Sequence, residues 1–104
     1  MRGILGLARR AGRLVVGDQS CRKALARGRA RLIILAADGS ERTQKTFREL
    51  GERAGVPTCR VASKVELGRW LGRDRVAVAV ITDAQLVRGL KAVLAGAGDE
   101  NKRG

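Results

Sequence analysis

Histidine and tyrosine are both absent from this 104-residue chain, and phenylalanine, tryptophan and proline occur once each. Without histidine, the usual acid–base catalyst at neutral pH is missing, and two cysteines are too few for a zinc site. The scarcity of aromatic rings disfavours binding of single-stranded nucleic acid, which relies on rings stacked against bases. No apolar run approaches the roughly 20 residues that cross a bilayer. These absences argue against enzymes, metal proteins and membrane-spanning proteins.

The acidic and nucleophilic residues offer no other route to catalysis. Asp38 and Asp83 stand where helix caps are expected, and Glu66 completes a capping box. Ser20 and Cys21 could be nucleophiles, but no neighbour in sequence would activate them. Neither glycine-rich phosphate-binding motif is present. We therefore predict no catalytic residue, no metal, no cofactor and no small-molecule substrate.

Basic residues outnumber acidic residues by 22 to 10, which gives a net charge of +12. Such an excess predicts a polyanionic partner, and nucleic acid is the first candidate. A GC-rich genome could raise the arginine content. Such a bias explains why arginine outnumbers lysine, but not why basic residues outnumber acidic residues. An acidic protein surface or an anionic lipid remains as the alternative partner.

Length and composition predict one globular domain. The chain is 44% hydrophobic and 31% charged, which fits a folded core rather than a disordered segment. The first ten residues include three arginines, so we expect no signal peptide. Cys21 and Cys59 are far apart and are interpreted as small buried residues in a reducing compartment. The prediction is a cytoplasmic monomer.

Helix-like and strand-like segments alternate along the chain, a pattern typical of a sheet flanked by helices. Helices are predicted over residues 1–11, after Gly17 to about 27, after the turn 38–40 to about 54, from 63, and from 82 or 83. Strands are predicted over 14–16, 31–37, 58–61 and 76–81. The continuous apolar runs in 31–37 and 76–81 indicate central strands, whereas the two shorter strands are edges or short inner strands. The fold class is α/β, a three-layer α/β/α sandwich with a four-stranded mixed sheet and about five helices.

In the first helix the apolar stripe is Ile4, Leu7, Ala8 and Ala11. Core positions of the last three helices follow from the same periodicity. The residues predicted to face inward are Phe47, Leu50, Ala54, Leu67, Trp70, Leu71, Leu86, Leu90, Val93 and Leu94. Residues 95–104 carry no apolar stripe, so we expect a frayed end. The predicted domain spans residues 1–95, and a flexible tail spans 96–104.

The segment Gly17–Ala26 has two contrasting faces when it is drawn as a helix. One face is small and apolar, with Cys21, Ala24, Leu25 and Gly28. The other face is polar and carries no acid, with Gln19, Ser20, Lys23 and Arg27. An amide, a hydroxyl and a cation side by side are the groups that read base edges in nucleic acid.

Four strings in this order resemble a known family: Leu5–Gly12, Gly17–Ala24, Leu35–Asp38 and Val61–Gly68. They look like the small bacterial members of the kink-turn-binding ribosomal protein family, the seven-Ae/thirty-e superfamily. The resemblance covers about residues 3 to 95. It implies a non-catalytic protein that binds structured RNA, in particular a kink-turn, in a ribosomal or translation-associated setting.

The resemblance also implies roles for single residues. The family's RNA-reading helix begins with a glycine, followed by an amide and then Glu, with lysine three positions after the Glu. Gly17, Gln19 and Lys23 match this pattern, whereas Ser20 stands where the family has Glu. In the family these side chains meet the sheared G·A pairs of the kink-turn. Because serine is shorter and has one oxygen, we expect selectivity weakened by about 1–3 kcal/mol.

The family's second contact is the loop between the third strand and the fourth helix, which holds the bulged nucleotide. The matching segment here comprises Val61, Ala62, Ser63 and Lys64. The residues alone agree in kind, because a helix starting at Ser63 presents N–H groups to phosphate and Lys64 adds charge. A plain helix cap without a ligand is the alternative interpretation of this loop.

Three functional hypotheses follow. The first is RNA binding by Gly17, Gln19, Ser20, Lys23, Arg27, Val61, Ala62, Ser63 and Lys64, with Lys23, Arg27 and Lys64 on one face. The second is an adapter of the same fold that docks on acidic protein partners, since fold alone does not decide function. The third is the substrate-binding half of an RNA-modifying enzyme, which would need a separate catalytic subunit.

Overall fold

A computed structural model of the protein describes residues 2–92. Its elements in chain order are α1 (Arg2–Arg10), β1 (Leu14–Val16), α2 (Asp18–Ala26), β2 (Leu32–Ala36), α3 (Glu41–Ala54), β3 (Thr58–Val61), α4 (Lys64–Trp70) and β4 (Val78–Ile81). A further helix, α5, covers residues 84–92. The predicted alternation of helices and strands is confirmed. The inward positions Val93 and Leu94, and the tail, lie outside the described residues.

The sheet is mixed and has the order β1-β4-β2-β3. β4 pairs antiparallel with both β1 and β2, and β2 pairs parallel with β3. Every residue of β2 and β4 is buried, which confirms that these runs are central. The strands β1 and β3, predicted as edges or short inner strands, are the edges of the sheet. Consequently β1, β2 and β3 all finish at one end of the sheet, the carboxyl end, and begin at the other, the amino end.

Two apolar clusters pack on opposite faces of the sheet, because alternate side chains of a strand point to opposite sides. On one face α1, α4 and α5 pack against β2 and β4, through Leu5, Leu67, Leu71, Val87, Leu90, Leu32, Ile34, Ala79 and Ile81. On the other face α2 and α3 do the same, through Cys21, Ala24, Leu25, Phe47, Ile33, Leu35, Val78 and Val80. The predicted three-layer α/β/α sandwich is confirmed.

The predicted stripe of α1 is wrong at Leu7 and Ala11, which are exposed, because the face that packs on the sheet is centred on Leu5 and Ala8.

Two residues of α3 also depart from the predicted core. Ala54 was expected to be buried but is exposed, because the helix ends there and Gly55 turns the chain away with a left-handed conformation. Gln44 is buried instead. Its side-chain amide donates to the Gly39 carbonyl over 2.9 Å, and its oxygen accepts from Arg60 over 3.3 Å. A buried amide is tolerated here because both of its ends are hydrogen-bonded.

The helix caps follow the sequence except at Asp38 and Glu66. Among residues 2–92 the Glu66 carboxylate accepts no hydrogen bond from the Ser63 N–H, so the predicted capping box is formed only in its Ser63 half. Ser40 caps α3 and Ser63 caps α4, each accepting a main-chain N–H three residues later. For α5 the alternative between two caps is resolved in favour of Asp83. The prediction that Asp38 could cap α3 is wrong, because its carboxylate accepts the N–H of Lys64 over 2.8 Å. Asp38 thus joins the end of β2 to the start of α4.

Gly68 in α4 lies against the main chain of the loop that follows the helix. A Cβ atom at this position would stand 2.7 Å from the Asp74 carbonyl oxygen and 2.8 Å from the Arg75 nitrogen. Because main-chain atoms cannot rotate away as a side chain can, the loop itself would have to move. Glycine is therefore required at this point for α4 to contact the loop that leads into β4.

Gly68→Ala is expected to lower the free energy of unfolding by about 1–3 kcal/mol, the range for overpacking a close contact. Gly6→Ala in α1 is the matched control, since a Cβ atom there meets nothing within 4 Å. That change is expected to be neutral or to stabilise the helix by about 0.5–1 kcal/mol. Urea unfolding midpoints of the two variants and the wild type test this. Equal midpoints for the two variants would contradict the close approach.

Cys21 packs against β1 on the buried face of α2 and is fully inaccessible. Burial, with a smaller contribution from the nearby Asp18 carboxylate, raises the pKa of its thiol to about 12. Burial also raises the pKa of the half-buried Cys59 thiol. Both thiols are therefore neutral at physiological pH, which supports their interpretation as small core residues.

The raised pKa of Cys21 predicts a pH dependence of stability. Below pH 9.0, the ordinary pKa of cysteine, the thiol is protonated in both the folded and the unfolded chain. Between pH 9.0 and about 12, the unfolded chain loses this proton while the folded chain keeps it. The free energy of unfolding should therefore fall with rising pH, by up to about 1.4 kcal/mol per pH unit. Denaturant unfolding of wild type and Cys21→Ala across this window measures the difference, which isolates this thiol from other titrations. A difference that stays constant with pH would rule out the shift.

Candidate nucleic-acid interface

Four chain segments meet at the carboxyl end of the sheet. Gly17 follows β1, Asp38 follows β2 and Ala62 follows β3, while the loop over residues 72–77 enters β4 at the same end. The Gly17 N–H donates to the Val78 carbonyl over 3.1 Å, which ties the start of α2 to the start of β4. The topology thus brings together the two segments that the sequence predicts to bind RNA.

The first turn of α2 presents its main-chain N–H groups without a side-chain cap. Gly17 occupies the cap position with φ of +102°, a conformation that glycine adopts readily, and it has no side chain to accept a hydrogen bond. Ser40, Ser63 and Asp83 supply such an acceptor at α3, α4 and α5. Uncapped N–H groups at a helix start, together with the helix dipole, form a site that favours an anion.

The two predicted faces of α2 are confirmed. The buried residues are Cys21, Ala24 and Leu25. The exposed residues include Gln19, Ser20, Lys23 and Arg27. Gly28 departs from the prediction, because it follows the helix with φ of +69° and is exposed rather than buried. The amide and hydroxyl therefore stand beside the uncapped first turn, where they reach solvent.

The acid of α2 is neutralised within the helix. Asp18 accepts from Arg22 over 2.5 Å, one helical turn away. The Arg22 guanidinium also lies 5.6 Å from the centre of the Phe47 ring, within range of a cation–π contact. This pair lies apart from the predicted binding face, where Lys23 and Arg27 have no carboxylate within 4 Å among residues 2–92. The polar face of α2 is thus a cationic face.

The loop after β3 is held in a strained conformation. Ala62 has φ of +44°, which costs a residue with a Cβ about 1–2 kcal/mol. The Ala37 N–H donates to the carbonyls of Val61 (3.2 Å) and Ala62 (2.9 Å). Asp38 accepts the Lys64 N–H from the other side of the bend. Strain maintained by surrounding hydrogen bonds is a feature of binding loops, because it fixes the shape before the ligand arrives.

The start of α4 differs from the expected phosphate site. The Ser63 hydroxyl accepts the Glu66 N–H over 3.1 Å, and the Lys64 N–H is taken by Asp38. The plain helix cap considered from the sequence is therefore formed. With these N–H groups occupied, attraction of an anion to this loop depends on the half-buried Lys64 and its ammonium group.

Sequence reasoning missed three residues at this end of the sheet. Val65, the second residue of α4, is a large apolar side chain with 44% of its surface exposed. Arg73 and Arg75 are exposed in the loop before β4. That loop is joined to the second predicted contact, since the Val76 N–H donates to the Lys64 carbonyl over 3.0 Å. The only signal in the sequence is the pair of arginines, whose position depends on an unpredicted strand order.

Arg27 lies away from the predicted residues at the carboxyl end of the sheet. It follows the last residue of α2, about 14 Å from the first turn at 1.5 Å per residue. Lys23 and Arg27 line a groove at the amino end of the sheet, together with Ser20. Lys64 lies at the opposite, carboxyl end, because it follows β3, so the prediction that Lys23, Arg27 and Lys64 share one face is wrong. The nine predicted residues therefore divide between the carboxyl end and the outer surface of α2.

The described part of the chain holds no cluster of three or more His, Cys, Asp or Glu side chains that could bind a metal. Within residues 2–92, no helix is long and apolar enough to cross a membrane.

Residues 1–88 match the family described as ribosomal protein L7Ae/L30e/S12e/Gadd45. The chain is 35% identical over 80 residues to RNA-binding protein YlxQ of Bacillus subtilis (strain 168), covering 77% of this chain and 80% of that protein. It is 27% identical over 78 residues to RNA-binding protein YlxQ of Enterococcus faecium, covering 75% and 76%.

A solved structure of a protein with unknown function from Bacillus halodurans C superposes with a TM-score of 0.85 and 31% identity. The superposition covers 90% of this chain and 95% of that one. The family match spans α1 through β4 and most of α5, and so includes every segment of the candidate interface. The chain belongs to the ribosomal protein L7Ae/L30e/S12e/Gadd45 family, as the four strings in its sequence predicted.

Proposed function

We propose that this protein binds structured RNA without catalysing a reaction, and that it recognises a kink-turn with the carboxyl end of its sheet. The observation that carries the proposal is the placement of two binding elements at this end. The uncapped, polar start of α2 and the strained loop at Ala62 lie on the two edge strands of one rigid sheet. The net charge of +12 and the names of the two YlxQ relatives, both RNA-binding proteins, support RNA as the partner.

The start of α2 is proposed to read the G·A pairs. The N–H groups of its first turn meet a phosphate, and the Gln19 amide donates to and accepts from base edges. Lys23, one turn after Gln19, reaches a guanine acceptor or a phosphate. Ser20 offers one oxygen on a short side chain, so Gln19 carries most of the discrimination between bases.

The second element is proposed to hold the bulged nucleotide. Val65 offers an exposed apolar surface to the face of a base, and Lys64 precedes it. The loop joined to the Lys64 main chain carries Arg73 and Arg75 with Asp74 between them, a net positive charge. The Asp38 bond to the Lys64 main chain keeps this loop in position. A base that has left the helical stack can reach such a surface, whereas a paired base cannot.

The spacing of the two elements supports selection of a bent RNA. β1 and β3 are separated by β4 and β2, so their ends lie about 14 Å apart at 4.7–4.9 Å per strand. One RNA internal loop must reach both elements at once. An RNA that is already bent at this loop pays less to do so than a straight duplex.

The setting we propose is ribosomal or other structured RNA in the cytoplasm. The two free cysteines suit a reducing compartment. All elements of the interface come from one chain, so a monomer suffices for binding.

The test is the affinity for a standard kink-turn RNA and for a matched RNA whose G·A pairs are replaced by Watson–Crick pairs. We expect clear preference for the kink-turn. Gln19→Ala and Lys23→Ala should each weaken kink-turn binding by about 1–3 kcal/mol, or 5- to 150-fold, because the first removes a base-edge contact and the second a contact to a guanine acceptor or a phosphate. Gln85→Ala and Lys45→Ala are the controls, since they remove the same side chains from exposed positions on other helices.

Titrations at two salt concentrations separate the other outcomes. Equal binding to both RNAs that falls steeply with salt would refute kink-turn recognition and leave a non-specific basic surface. No binding to either RNA would refute the proposal and favour the adapter hypothesis.

A further inference from the structure

A second basic surface lies at the amino end of the sheet, opposite the proposed kink-turn contacts. It is a groove of about 510 Å³ between α2, the turn before β1 and the segment that enters β2. Five cationic side chains line it, namely Arg13, Lys23, Arg27, Arg29 and Arg31. Only two of the five, Lys23 and Arg27, belong to the predicted RNA face. The groove therefore needs an explanation of its own.

Main-chain hydrogen bonds fix the segment that carries two of these arginines. Gly28 ends α2 with φ of +69°, which turns the chain toward β2. The Arg29 N–H donates to the Ala24 carbonyl over 2.9 Å, and the Arg31 N–H donates to the Ile81 carbonyl over 2.8 Å. The main chain of this side of the groove is therefore fixed, and so are the Cα positions of Arg29 and Arg31.

The charge of the groove is almost unopposed. Asp83 lies 3.9 Å from Arg13, and no other carboxylate in the range 2–92 is within 4 Å of the five cations. The negative end of the α2 dipole is nearby, but it is equivalent to about half a charge. Half a charge and one aspartate leave most of five cations uncompensated. Side chains held together against their mutual repulsion indicate a polyanionic partner.

We propose that this groove binds the phosphodiester backbone of a helical arm of the RNA. The internal loop of the same RNA binds at the carboxyl end of the sheet, so this inference rests on the proposed function. Ser20 and Lys23 line the groove and also belong to the polar face of α2, so the two surfaces are continuous. The 14 Å length of α2 spans several base-pair steps of an A-form RNA duplex.

The open shape of the groove fits a duplex arm better than a compact anion. The cations come from three segments, the turn at Arg13, the helix face of Lys23 and Arg27, and the entry to β2, and all five residues are exposed. Such a spread matches phosphates repeated along a strand, each of which can take one cation. It supplies affinity and orients the arm, while the base contacts remain at the other end.

The test uses the double variant Arg29→Gln/Arg31→Gln, which leaves the proposed kink-turn residues intact. Arg69→Gln/Arg88→Gln is the matched control, because it removes the same charge from exposed positions on α4 and α5, in the opposite layer. Both are measured against a kink-turn RNA with arms of about ten base pairs, one helical turn, and against the same RNA with arms trimmed to about three base pairs.

On the long-armed RNA, the groove variant should bind roughly tenfold more weakly near 0.1 M salt, with a log–log salt slope reduced by about 1.8 for two lost phosphate contacts. The control variant should retain the slope of the wild type. On the trimmed RNA, which ends before the groove, the groove variant and the wild type should bind equally. Unchanged urea midpoints would show that all variants are folded.

An equal loss in the control variant, or a loss that persists on the trimmed RNA, would overturn the groove as an arm-binding site while leaving any kink-turn preference intact. Binding to a plain duplex of the same length tests separately whether the proposed function, kink-turn recognition, fails. If the wild type shows no kink-turn preference but the groove variant still loses salt slope on this duplex, the proposed function fails and binding of duplex backbone in the groove is supported.

Discussion

The position of β4 between β1 and β2 is the constraint on which the interface depends. Because β4 runs antiparallel to both neighbours, β1 and β2 point the same way, and β3 follows β2 in parallel. The segments after all three strands therefore reach one end of the sheet. In a parallel arrangement of β4, the loop with Arg73 and Arg75 would enter at the amino end instead. Both β2 and β4 are buried on two faces, so this arrangement is held by most of the apolar core.

Much of the fold could be predicted from the sequence because the signals are local. The apolar runs of β2 and β4, the periodicity of the helices and the serine caps are properties of neighbouring residues. The order of the strands is not, since it depends on pairing between segments far apart in the chain. For the same reason the partner of Asp38 was missed. Its position before α3 suggests a local cap, but a distant N–H at the start of α4 competes for the same carboxylate.

The candidate interface was predictable to a similar extent. The polar face of α2 follows from helical geometry, and the structure preserves it because Cys21, Ala24 and Leu25 anchor the other face in the core. The placement of Val65 and of the arginines before β4 at this end of the sheet could not be predicted from neighbouring residues. No sequence pattern predicts that a valine in a helix is exposed. A pair of arginines indicates a binding surface only once the loop that carries them is known to lie beside Lys64.

In the proposed function, the contacts to bases lie at the start of α2 and the contacts to the RNA backbone lie at its end. Base contacts supply specificity, and phosphate contacts supply affinity and its dependence on salt. The serine at position 20 shifts this balance, since it offers less to a base edge than the longer acid that the family resemblance implies. The arginines beyond the end of α2 add charge where no base is read. In the proposed complex, a duplex arm bound there holds the internal loop in register against Gln19 and Lys23, so backbone contacts at one end restore part of the affinity that a shorter side chain gives up at the other. On this view the strong positive charge of the chain and its departure at Ser20 are linked features of a single recognition surface.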